Sequence, residues 1–167
     1  MKTERVNSLL AEIVSSQGFI NIDQNDVDSF KANVSDIDAE KVSGKIEEIG
    51  VMLDNSISSI IERNDSKQVK GLLFVIRLPQ DNCFMEKIND IHEVIDKLGE
   101  ELECKWGLST MEHIHGDHLE LIVAIGFNNV KWYNAEKWEN IGYKLYKHCI
   151  NSWKYNSNCS IRHKYNK

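Results

Sequence analysis

The residues best suited to chemistry stand near the start of the chain, in Gly18-Phe-Ile-Asn21-Ile-Asp23-Gln-Asn-Asp26-Val27. One carboxamide and two carboxylates at this spacing, just past an apolar-periodic segment, make a compact acidic loop. Such a loop can orient a water or contact a neighbouring chain. Asn and Asp after a helix also favour turns and cap the helix that follows, so a structural role is open beside the interaction role. Asn21, Asp23 and Asp26 are the candidate binding residues.

A second polar cluster, His113-Ile-His115-Gly-Asp117-His118, packs three imidazoles and a carboxylate into six residues. In a strand, His113 and His115 would point to one side, a donor set that suits zinc or nickel. Cys83, Cys104, Cys149 and Cys159 are widely spaced, with no CxxC pair. They read as reduced thiols better than as a disulfide framework or a zinc site. Cys104 and Cys149 suit small core positions better than nucleophiles.

These groups must be positioned by the elements around them. Val6, Leu9, Leu10, Ile13 and Val14 recur at helical spacing, and Gly18 closes that segment as a C-terminal glycine would. Val27, Phe30 and Val34 suit a short helix, or one running into extended chain. Val42, Ile46, Ile49, Leu53, Ile57 and Ile60 step by three and four, predicting a helix from about Ala39 to Arg63 despite Gly44 and Gly50. The continuous apolar run Gly71-Leu-Leu-Phe-Val-Ile76, ending near Pro79, predicts a buried central strand. Asp81 or Asn82 can cap a helix carrying Phe84, Ile88, Ile91, Ile95 and Leu98. Residues 102–108 and 119–125 read as strands, the second closed by Gly126. Helices alternating with buried strands imply an α/β or α+β layer, a small mixed sheet packed with helices.

The composition agrees with one ordinary domain and an appended element: 167 residues, 41% hydrophobic, 28% charged, one proline. No apolar run reaches the roughly 18 residues of a membrane helix. The N-terminus leads into an amphipathic segment rather than a secretory signal, so a soluble, cytoplasmic chain with no membrane contact is expected. Charge is uneven. Lys or Arg stands at positions 131, 137, 144, 147, 154, 162, 164 and 167, against Glu136 and Glu139 alone, in a chain of net charge −6. The body is thus strongly acidic and the tail basic. Within the tail Trp138, Ile141, Leu145, Cys149 and Ser152 share one helical face, predicting an amphipathic helix, and Trp132, Trp138 and Trp153 are candidate interface residues. Nucleic-acid contact through phosphate charge and stacking is opposed by the acidic body.

The order of elements resembles the FtsZ family over roughly residues 4–127. Those proteins carry a core helix, a loop G-x-I-N-x-D-F-A-D, and a C-terminal domain of a small sheet backed by helices. Gly18, Asn21, Asp23 and Asp26 match the loop's polar positions, although Gln24 and Asn25 replace its aromatic and alanine. Gly71-Leu-Leu-Phe-Val-Ile76 is similar to the G-x-L-x-N-I strand, and Trp106-Gly107 to a later strand ending in glycine. Residues 116–127 resemble the L-x-D-x-I-x-V-T-V-I-A-T-G-F signature. The family's glycine-bracketed strand corresponds to Asn33-Val-Ser-Asp-Ile-Asp38, polar enough to imply a short edge. The His113–His118 stretch falls where the family has a polar connection, so a solvated loop is expected and no metal.

The resemblance implies an FtsZ/tubulin C-terminal-domain-like fold over residues 1–127. Residues 1–18 would end the core helix, residues 18–28 would form the acidic loop, and residues 128–167 would be a basic aromatic helical extension. In that family the loop's acids help activate the water that attacks the γ-phosphate held by the adjacent subunit. Here Asp23 and Asp26 could do so only for a partner supplying the phosphate site. The glycine-rich phosphate loop is absent, so no nucleotide bound by this chain alone, no cofactor and no enzymatic activity are expected. Two protein-binding roles follow. The first choice, which rests on small size and the acidic body, is a small acidic inhibitor of the immunity-protein or antitoxin type, neutralising a toxin such as a basic nuclease. The other is a capping modulator of an FtsZ/tubulin-type GTPase that uses the acidic loop.

Overall fold

Every residue from Gly71 to Pro79 is buried, which follows from an apolar run that must be covered on both faces. It forms most of the central strand, β3 (Lys67–Pro79), in a computed structural model that describes residues 2–16, 18–80, 88–97, 102–112 and 114–129. These residues belong to the first of two compact units, Met1–Tyr133, the second being Asn134–Lys167. The predicted tail helix, with Trp132, Trp138 and Trp153, lies outside the described residues, as do His113, Cys83, Cys149 and Cys159.

The other elements are α1 (Lys2–Ser15), β1 (Gly18–Ile20), α2 (Gln24–Ala32), β2 (Asp36–Lys45), α3 (Ile49–Glu62), α4 (Ile88–Lys97), β4 (Glu103–Met111) and β5 (His118–Asn129). The strands form one mixed sheet in the order β1-β4-β3-β5-β2. β4 runs parallel to β3, with Phe74 opposite Trp106, while β5 runs antiparallel, with Phe74 opposite Val123. This is the α/β arrangement expected from the sequence.

Helices cover both faces. α1 and α2 bring Val6, Leu9, Leu10, Ile13, Val27 and Phe30 onto Leu73, Val75, Ile122 and Ala124. On the opposite face, reached by the alternate residues of β3, α3 packs on β2, β5 and α4. There Phe74 stacks on Trp106 with ring centroids 6.2 Å apart, and His92 of α4 meets the same indole edge-on. Phe30 lies across Gly71 and Gly126, which are partners in the β3–β5 ladder. A Cβ at Gly71 would stand 3.0 Å from the Phe30 ring, and one at Gly126 2.5 Å from Val34.

Several sequence expectations need correction. The helix expected from Ala39 begins only at Ile49. Residues 36–45 are a ten-residue edge strand on β5, followed by a 3-10 turn, Ile46–Glu48. The spacing of Val42 and Ile46 fits a helix by coincidence. The strand's polarity, which suggested a short edge at most, is matched by partners. Asp38 takes Arg63 at 3.3 Å and Asn64 at 2.9 Å, Glu40 takes Arg63 at 2.7 Å, and Asp36 pairs with Lys67. Gly18 does not cap α1 in a left-handed conformation. It begins β1, where a side chain would collide with the backbone of Leu108 and Ser109. Gly107 is mid-strand in β4, and β5 continues beyond Gly126 to Asn129.

Candidate functional site

The segment read as an acidic loop is a strand, a short turn and the first turn of a helix. Asp23 is the N-cap of α2, in extended conformation, and its Oδ1 accepts from the Asp26 backbone N–H at 2.8 Å. Asp26 returns the bond, its Oδ2 accepting from the Asp23 N–H at 3.1 Å. This reciprocal pair satisfies two amides that the helix start would leave open, with Asp standing in both positions of the capping box. Asn21 fixes the preceding turn, its Oδ1 accepting from the Gly18 N–H at 2.8 Å. The buried side chain of Ile22 anchors the turn to the core.

The structure therefore brings Asn21, Asp23 and Asp26 together, with Asp23 and Asp26 capping α2 and Asn21 holding the turn before it. Asn21 and Asp23 remain exposed, and Asp26 is half-exposed. Lys105 of β4 reaches across from the sheet, its Nζ donating to Asp26 Oδ1 at 3.0 Å. That bond, with the Asp23 backbone N–H second, holds the Asp26 carboxyl below the ordinary carboxylate range. Glu103, two residues earlier, accepts from Asn33 Nδ2 at 3.3 Å, so β4 grips α2 at both ends.

Beside the acids lies an apolar surface. Phe19 is 67% exposed and Ile20 36%, on a three-residue edge strand whose consecutive side chains face opposite ways.

Beneath the turn, Arg77 is buried. Its Nη1 donates to Glu12 Oε1, and its Nη2 to the Glu12 carbonyl and to Ser16 Oγ, all at 2.6 Å. Glu120 stands 3.5 Å from the same guanidinium, and Lys41 completes the cluster at 2.7 Å from Glu12 and 3.0 Å from Glu120. The end of α1 is thus held by a side chain from the central strand, which fixes where the Gly18–Asp26 segment starts. Neither Arg77 nor Lys105 was singled out from the sequence. The one available signal for Arg77 is a lone charge prolonging an apolar run as far as Leu78 and Pro79.

The remaining candidates do not assemble into a site. His115, Gly116 and Asp117 form an exposed turn into His118, the first residue of β5, with Gly116 at φ 70° and His118 Nδ1 2.9 Å from Asp117. Among the described residues no group of three His, Cys, Asp or Glu is placed to hold a metal. Burial pushes the Cys104 thiol up to about 11, which keeps it protonated at neutral pH and unsuited to nucleophilic work. Among the described residues no helix is long and apolar enough to cross a membrane.

TubZ from Bacillus thuringiensis serovar israelensis, in GDP-form protofilaments, matches 92% of this chain at 13% identity and a TM-score of 0.53. A helical model of the TubZ-Bt four-stranded filament gives the same coverage at 12% identity and 0.53, and an FtsZ point mutant from M. jannaschii covers 74% at 17% and 0.50. The fold is FtsZ/tubulin-like. The FtsZ/tubulin-like chain spans only 38 to 40% of the length of those proteins, so the likeness concerns architecture and not their activities. No protein-family model matches its sequence, and no curated protein does.

Proposed function

We propose that this chain is a non-enzymatic protein-binding domain that docks on a subunit of an FtsZ/tubulin-type GTPase and caps its polymer. It corresponds in this reading to the C-terminal half of such proteins. The observation that carries the reading is the surface at the start of α2, where Phe19 and Ile20 stand exposed beside Asn21 and Asp23. Two large apolar side chains on an open edge strand mark an interaction surface, because proteins ordinarily blunt such edges. The filament and protofilament assemblies of the TubZ structures support the class of partner. A domain seated through this face would occupy the position of the next subunit.

Co-sedimentation of the chain with a polymerising FtsZ/tubulin-type GTPase from the same cells tests this. The wild-type chain should bind and shorten polymers, and Phe19→Lys should lose both effects. Absence of wild-type binding to subunit or polymer sinks the reading.

A second reading, the acidic inhibitor of a basic toxin, is favoured by a different surface. Glu47, Glu48, Glu62 and Asp65 are exposed around the two ends of α3. That surface does not include Phe19. Capture of a small basic nuclease from host lysate, unaffected by Phe19→Lys and lost on charge reversal at Glu47 and Glu48, would replace the first reading by this one.

A further inference from the structure

We infer that the β1 edge receives an extended, basic segment of a partner protein as an added strand. The inference rests on the docking reading for the choice of face, and it names the kind of segment that reaches that face.

The two edges of the sheet differ in what they offer another chain. β2 carries Asp36, Asp38, Glu40, Lys41 and Lys45, and charges along an edge discourage a foreign strand from pairing. β1 has neither a charge nor a proline in Gly18-Phe19-Ile20, and among the described residues it is paired with β4 alone. Strand addition uses such an edge, with main-chain bonds for affinity and alternate side chains for choice. The match is short. The Gly18 N–H is already taken by Asn21, and the ladder to β4 shifts register between Gly18 and Ile20, which leaves Phe19 and Ile20 as the apolar contacts.

Charge decides the kind of segment. Past Ile20 come Asp23, Asp26 and Asp28, of which Lys105 is bonded to Asp26. Asp23 and Asp28 are exposed, and they accept from neutral donors, the Asp26 amide at 2.8 Å and Gln24 Nε2 at 2.7 Å. The next cation along the chain, Lys31, belongs to the last turn of α2. The turn beside the open edge is therefore acidic. A second copy of this chain would bring like charges together, whereas a strand with Lys or Arg beside its apolar residues complements them.

The test selects random peptides displayed on phage against the full chain. Selected peptides should combine alternating apolar residues with Lys or Arg, and a synthetic copy should slow amide exchange within β1. Phe19→Lys should abolish its binding. Asp23→Asn together with Asp28→Asn keeps an acceptor at the α2 cap and should weaken binding about threefold or more, as should raised salt. A selection that yields no binder, or only acidic ones, overturns the inference, and so does binding that leaves exchange in β1 unchanged. If such peptides bind at β1 but no GTPase co-sediments, the docking reading fails and the strand site stands.

Discussion

Arg77 grips Glu12 twice, at the carboxylate and at the main-chain carbonyl, each at 2.6 Å. The carbonyl lies in the last turn of α1, where it also accepts from the Ser15 and Ser16 hydroxyls at 3.0 and 2.7 Å, so the guanidinium joins local side chains as a cap delivered from the sheet. With only 2% of its side chain exposed, Arg77 has no water to fall back on.

Replacing Arg77 by Met should therefore be severe. It takes the guanidinium away from the Glu12 and Glu120 carboxylates and from Ser16, and losing one partner of a buried ion cluster costs about 3–5 kcal/mol. Urea unfolding should show a loss of that order, against about 1 kcal/mol for Glu12→Gln, which keeps an acceptor at a partly exposed position. Equal, small losses in both variants would mean that the cluster carries no stability.

Acid should weaken the fold through the same carboxylates. Burial alone would raise the Glu12, Asp36 and Asp38 carboxyls, but Lys41 and Arg77, then Lys67 and Lys2, then Asn64, Arg63 and Lys2 outweigh it and leave all three lowered. Folded values below unfolded ones contribute stability that is present above the unfolded range, about pH 4, and is lost as pH falls through the folded values. The urea midpoint should accordingly drop steeply below about pH 4 and more gently in Asp38→Asn. A midpoint flat from neutrality to pH 3 would refute this.

Gly126→Ala should destabilise by about 1–3 kcal/mol, as overpacking does, because its methyl group would press on Val34 and on Phe30, 2.5 and 3.1 Å away. Gly44→Ala is the control. There the three atoms nearest the methyl all belong to the flexible Met52 side chain, its sulfur at 2.6 Å, so a shift within about 0.5 kcal/mol is expected in thermal unfolding.

Substitutions in the turn must respect the cap. Asp23→Ala should cost about 0.5–2 kcal/mol, whereas Asp23→Asn keeps an acceptor and should cost only a few tenths. Circular dichroism melts of both would separate lost binding from a frayed α2. Phe19→Lys, at an exposed position, should melt with the wild type.

The sheet, its central strand and the helical faces were legible because burial on both sides demands the unbroken run of β3 and amphipathic packing demands the periodicity of α1 and α3. β2 was legible only as a short edge over residues 33–38, and its run to Lys45 was not. An edge strand buries little, and the partners of Asp36, Asp38 and Glu40 come from Arg63, Asn64 and Lys67, more than twenty residues away. Asn21, Asp23 and Asp26 were found by spacing. Their engagement was only half visible, since the cap is local while Lys105 lies 79 positions from Asp26. Exposure of Phe19 and Ile20 could not be read from sequence at all, because it depends on β1 standing at the edge of the sheet among the described residues.

The placement of β5 between β3 and β2 has a consequence for synthesis. Asp36 is registered on Phe127, and Ser35 bonds to Asn128 across 93 positions of chain. When α1, α2 and β2 leave the ribosome, the strand that joins them to β3 has not been made. The segment up to Lys45 must wait until residues 118–129 emerge before β2 is paired and Val27 and Phe30 gain the Ile122 and Ala124 part of their cover. Such non-local closure is slow, and the interval is when this chain is most exposed to aggregation.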